Sequence, residues 1–169
     1  QYQQIRWEIA AAIDKVLPSG KYTLGPHLEN FEHEFADYCG AKYCIGISNG
    51  TEALHLALAA MDIGSGDEVI TQANTYVATS FAVNYVGATP VFVDIEPEYS
   101  NLDVNQVEAR ITERTKAIIP VHIYGHPVDM DPLNQLAANY GIKVLEDASH
   151  AHGAFYKGKR TCSLGDAAA

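Results

Sequence analysis

The stretch VLEDASHAHGA, Val144 to Ala154, sets two adjacent carboxylates, Glu146 and Asp147, just ahead of His150 and His152. Such a set could serve a metal site, an acid/base pair, or a single carboxylate presented to a cofactor. Two histidines two residues apart converge on one ion only along an extended backbone, and no HExxH or Cys/His spacing accompanies them. No metal is therefore expected. Neighbours on a strand point to opposite faces, which also works against Glu146 and Asp147 acting as an acid/base pair. One carboxylate facing a cofactor is the best remaining reading. Asp147, directly after an apolar run, is the one placed to reach the ligand edge of a sheet. If buried there, it needs a cationic partner or several hydrogen-bond donors.

Three further stretches carry useful groups. In ISNGTEALHLAL, Ile47 to Leu58, Gly50 and Thr51 open an apolar helix. Free amides and the helix dipole make such a start a phosphate site, although Asn49 or Thr51 could equally be a simple cap. In NTYVATSFA, Asn74 to Ala82, Tyr76 opens a predicted helix, where its ring could lie over a bound aromatic group or pack on its neighbours. In PVHIYGHP, Pro120 to Pro127, His122 and Tyr124 could line the same edge, and a structural histidine is at least as good a reading.

The elements that position these groups alternate. Helices are predicted over Tyr2–Leu17, Pro26–Tyr38, Glu52–Met61, Tyr76–Val86, Val104–Ile111 and Asp131–Tyr140. Strands are predicted over Tyr43–Ile47, Glu68–Thr71, Thr89–Val93, Lys116–Val121 and Lys143–Leu145. The Glu52–Met61 helix is apolar almost throughout and should be buried on most sides. Strands and helices of these lengths imply βαβ units, and so an α/β fold with a mostly parallel sheet covered on both faces.

The 169 residues suffice for one domain, and a 47% hydrophobic, 19% charged composition is that of a globular chain. A net charge of −10 with no run of Lys or Arg argues against nucleic acid as a partner. No apolar stretch approaches a membrane span. Three cysteines without a CxxC fit a reduced, cytoplasmic setting, and Cys39 and Cys44 read as core fillers. The chain opens inside a helical pattern and stops at LGDAAA without a cap, so it reads as a fragment.

Taken together, GPHLENFEHEFADYCGAKYCIGISNGTEALHLAL, GDEVITQANTYVATSFAV, GATPVFVDIEP, TKAIIPVHIYGHPVDMDPL and EDASHAHGAFYKGK resemble the sugar aminotransferases of the DegT/DnrJ/EryC1/StrS family. These are fold type I enzymes dependent on pyridoxal 5'-phosphate. The resemblance implies a three-layer α/β/α large domain of the aspartate aminotransferase type. Residues 1–25 would form an N-terminal helical segment and 26–169 the N-terminal part of that domain, with the C-terminal small domain absent.

It implies that Gly50 and Thr51 hold the cofactor phosphate, Tyr76 stacks on the pyridine ring, Asp147 pairs with the pyridinium nitrogen, and His150 bonds the ring hydroxyl. The family's Schiff-base lysine falls outside the chain, and neither Lys157 nor Lys159, in the exposed turn YKGKR, matches it. The implied reaction moves an amino group from an amino acid, in all expectation glutamate, to a nucleotide-linked keto-deoxysugar in a cytoplasmic homodimer with shared active sites. Two alternatives stay open: a sugar dehydratase of the same family, in which histidine replaces the lysine, and a non-catalytic binding module. The segment TQAN, Thr71 to Asn74, lacks the proline expected there, which leaves the backbone before Tyr76 open.

Overall fold

A computed structural model describes residues 1–169. Three helices come first: α1 (Tyr2–Val16), α2 (Pro26–Cys39) and α3 (Gly50–Ala60). Then β1 (Glu68–Gln72), α4 (Ala78–Tyr85), β2 (Thr89–Val93), the single turn α5 (Val104–Val107), β3 (Thr115–Ile119), α6 (Met130–Tyr140) and β4 (Lys143–Glu146) alternate. A two-residue-per-strand hairpin, β5 (Phe155–Tyr156) and β6 (Lys159–Arg160), precedes β7 (Ala167–Ala168).

The main sheet runs in the order β2-β1-β3-β4-β7, and every pairing in it is parallel. Its strands alternate between two cores, as a pleated sheet covered on both faces must. Val69, Ala117, Ile119 and Leu145 face Leu54 and Leu58 of α3 and Ala82 and Val83 of α4. Ile70, Ile118 and Val144 face the other way, against Val107 of α5 and Met130, Leu133 and Ala137 of α6. The three-layer α/β/α architecture expected from the alternation is thus present.

Four expectations need correction. Tyr43–Ile47 is not a strand, because no strand lies beside it to complete a ladder, and Ile45 is 74% exposed. Its one anchor is α2, where Glu32 Oε1 accepts from the Gly46 amide at 2.7 Å. A Cβ on Gly46 would come within 2.5 Å of Leu28 Cδ1, so a larger residue there would require the Leu28 side chain to shift. Second, α3 is not buried on most sides: Leu54 and Leu58, one turn apart, are its only buried residues, and Leu56 is exposed. Third, α4 begins at Ala78, so Tyr76 lies two residues before it. Fourth, the Val104–Ile111 helix is one α turn followed by a 3₁₀ turn, ended by extended Ile111.

Helix α1 buries none of its residues, and Trp7 is 71% exposed. No helix is long and apolar enough to cross a membrane.

Candidate functional site

From β1 the chain crosses to β2 on one side, whereas from β3 it moves through β4 on the other. The order therefore switches between β1 and β3, which are neighbours. In an open α/β sheet the crevice beyond the carboxyl ends of the strands at such a switch is where ligands bind. A cavity of about 200 Å³ lies there. Its lining includes Gly50, Thr51, Tyr76, Asp147 and His150, so the fold gathers all five residues named from the sequence.

Each wall has a separate origin. Asn49 caps α3 by accepting from the Glu52 amide at 2.9 Å. The amides of Gly50 and Thr51 and the Thr51 hydroxyl make no hydrogen bond within the chain. Capping and an anion cradle are therefore not rivals at this helix start, because the cap takes one donor and leaves two free. Gly50 is closely approached, since a Cβ there would sit 3.1 Å from Ser149 Oγ. Gly50→Ala is expected to weaken binding of a phosphate-bearing ligand about tenfold, equivalent to roughly 1.4 kcal/mol, with little loss of thermal stability. Ligand titration beside a melting curve checks this.

Tyr76 is 74% exposed, its ring free to cover a ligand. The backbone before it is held by side chains in place of the missing proline. Gln72 Oε1 accepts from the Val121 amide at 3.1 Å, Gln72 Nε2 donates to Asn74 Oδ1 at 2.9 Å, and Asn74 Nδ2 donates to the Ser100 carbonyl at 2.9 Å. Val121 and Ile123 line the cavity with apolar surface.

Asp147 follows β4 and continues its pairing past Pro120, which has no amide to donate. The Asp147 amide donates to the Pro120 carbonyl at 2.9 Å, and its own carbonyl accepts from the His122 amide at 3.0 Å. The nearly buried carboxylate accepts from Thr79 Oγ1 at 2.9 Å on one oxygen, and from Ser149 Oγ at 2.7 Å and the Ser149 amide at 3.3 Å on the other. No Lys, Arg or His forms an ion pair with it. It is thus a buried anion with donors but no cation of its own, suited to a cationic ring nitrogen.

Its neighbour does something else. Glu146 is wholly buried and accepts from four donors: the Leu164 and Gly165 amides on Oε1 at 2.7 and 2.9 Å, and the Cys162 amide and His122 Nε2 on Oε2, both at 3.0 Å. His122 Nδ1 accepts from the Val128 amide at 3.1 Å, which assigns the ring proton to Nε2. His122 is thus structural. Tyr124 is 81% exposed and does not line the cavity.

Cys39 is core, as expected, while Cys44 is only half-buried. Burial pushes the Cys162 thiol up to about 12, so it is no nucleophile. Lys157 sits in the β5–β6 turn and pairs with Asp131 at 2.5 Å, and neither it nor Lys159 reaches the cavity. Sequence reasoning missed Thr75, Thr79 and Ser149. Thr79 was findable, because a hydroxyl on the apolar stripe it shares with Ala82 and Val83 must find a partner.

The profile of the DegT/DnrJ/EryC1/StrS aminotransferase family matches residues 3–169. The chain is 53% identical over 161 residues to the dTDP-3-amino-3,6-dideoxy-alpha-D-galactopyranose transaminase of Aneurinibacillus thermoaerophilus, covering 95% of this chain and 44% of that one. The crystal structure of S. venezuelae DesV in complex with a ketimine intermediate superposes with a TM-score of 0.94 at 50% identity, over 96% of this chain and 44% of that one. Bacillus subtilis ntda with bound cofactor PMP superposes with a TM-score of 0.89 at 40% identity, over 94% and 37%. The chain therefore spans less than half the length of these relatives. On profile, sequence and structure alike, it belongs to the DegT/DnrJ/EryC1/StrS aminotransferase family.

Proposed function

We propose that these residues are the cofactor-binding part of a pyridoxal phosphate-dependent transaminase that moves an amino group from an amino acid, glutamate by preference, to a nucleotide-linked keto-deoxysugar. The observation that carries this is Asp147, a nearly buried carboxylate with three donors and no cation, in one cavity with the free amides of Gly50 and Thr51. An anion cradle at one side and a buried anion at the other fit a ligand with a phosphate and a cationic ring nitrogen.

Bound there, pyridoxal phosphate supplies an electron sink conjugated to the substrate's amino carbon. The chain's own residues do the rest. The amides of Gly50 and Thr51, with the Thr51 hydroxyl and the α3 dipole, hold the phosphate. Asp147 keeps the proton on the ring nitrogen, which preserves the sink. Tyr76 covers one face of the ring, Val121 and Ile123 exclude water, and His150, exposed at the rim, bonds the ring hydroxyl. The lysine that would shuttle the proton is not among these residues, and the relatives' greater length leaves room for it elsewhere in the protein. A cytoplasmic homodimer with shared sites is part of the same reading.

The test is an absorption spectrum of the full-length protein with pyridoxal phosphate, before and after borohydride. A cofactor band fixed to the protein by borohydride is expected, followed by glutamate-dependent amination of keto-sugar nucleotides. Cofactor that binds but cannot be fixed would move the reading to a dehydratase of this family. Absence of any cofactor band would leave the binding-module alternative.

A further inference from the structure

We propose that Thr79, backed by Thr75, is a positioning residue that aims the one unoccupied hydrogen-bonding site of Asp147 into the cavity. The proposal rests on the cofactor reading above and adds to it what holds the carboxylate.

A carboxylate has about four acceptor sites, two on each oxygen. Ser149 occupies the first oxygen, Oδ1, with both its hydroxyl and its amide. Thr79 Oγ1 occupies one site on Oδ2 at 2.9 Å. The remaining site is therefore on Oδ2, the oxygen that Thr79 holds. Donors on both oxygens stop the group from turning about its Cβ–Cγ bond, a torsion that is otherwise soft. Without Thr79, only the two Ser149 donors on Oδ1 restrain that turn, and Oδ2 is held less firmly.

Thr79 is itself steered. Its hydroxyl has one hydrogen, which goes to Asp147, so the 3.0 Å contact between Thr75 Oγ1 and Thr79 Oγ1 has Thr75 as donor. The resulting chain, Thr75 to Thr79 to Asp147, links hydroxyls whose dipoles reinforce one another. Thr75 also immediately precedes Tyr76, and the Thr79 amide donates to the Tyr76 carbonyl at 3.2 Å. One local structure thus orients both the ring proposed to cover the cofactor and the carboxylate proposed to face its nitrogen. Thr75 lies in the turn before α4 and Thr79 in its first turn, and their 3.0 Å contact ties that turn to the helix.

The test uses the full-length protein with Thr79→Val, Thr79→Ser and Thr75→Val, and pyridoxal phosphate labelled with ¹⁵N in the ring. Two quantities are read: the dissociation constant of the cofactor, and the ¹⁵N shift of the bound ring, which reports whether its nitrogen is protonated. Thr79→Val keeps the shape and removes the donor. It is expected to weaken binding about tenfold and to move the shift toward that of a neutral pyridine. Thr79→Ser should restore both, and Thr75→Val should shift both by less in the same direction. General loosening of α4 would weaken binding without a specific change in ring protonation. A Thr79→Val protein with unchanged shift overturns the inference while leaving the cofactor reading intact. Unaltered protein that binds no pyridoxal phosphate overturns both. Should Thr79→Val fail to fold, Thr75→Val decides: an unchanged shift there, or in a folded Thr79→Val, counts against the chain.

Discussion

Replacing Glu146 with alanine is expected to lower the unfolding free energy by about 5 kcal/mol, a large part of the stability of a typical domain. The carboxylate absorbs three backbone amides and the ring N–H of His122 in a site with no exposure. Its removal leaves four buried donors without an acceptor, each costing about 1–3 kcal/mol, reduced where the half-buried segment 162–165 can relax toward water. Glutamine should not rescue it. Each oxygen accepts from two donors, so either orientation of the amide sets its NH₂ against two N–H groups. Urea denaturation of both variants checks the expectation, and a loss below about 2 kcal/mol would show that the segment finds other partners.

Asp147→Asn should behave in the opposite way. Asparagine can still accept from Ser149, and the Thr79 hydroxyl can rotate to accept from the new NH₂. Stability should therefore change by less than about 1 kcal/mol. What disappears is the charge. A cationic ring nitrogen facing a neutral amide loses a buried counterion, and breaking such a pair costs about 3–5 kcal/mol. At about 1.4 kcal/mol per decade this corresponds to roughly a thousandfold loss in kcat/KM for amino transfer, with weaker cofactor binding beside it. A variant within tenfold of the unaltered protein would remove Asp147 from its assigned role. The two variants form a contrast: adjacent carboxylates, one whose loss unfolds and one whose loss silences.

The alternation of βα units was legible because parallel strands buried on both faces carry continuous apolar runs, as over Ala117–Ile119 in β3. The site was legible for a related reason. Strand ends, glycine at a helix start and a carboxylate after an apolar run are local signals, and the sheet brings them together without further instruction. Tyr43–Ile47 misled because strand propensity is a statement about fitting beside another strand, and none is beside it here. The exposure of α3 misled because composition does not say which faces find neighbours. Thr79 and Ser149 went unseen because hydroxyls that bond across the fold leave no periodicity. The role of Glu146 was not legible, because its four donors lie on residues 16 to 24 positions away, too distant for a local pattern to show.

The pleat that turns Glu146 and Asp147 to opposite sides also makes their order irreplaceable. Exchanging them would conserve composition, net charge, hydropathy and secondary-structure propensity. Aspartate at position 146 would fall one methylene short of three amides and an imidazole, and glutamate at 147 would push its head group one methylene past Thr79 and Ser149 into the cavity. A permutation invisible to every bulk property of the chain would thus damage its frame and its chemistry together. The information that specifies both is the length of two side chains, written in one order.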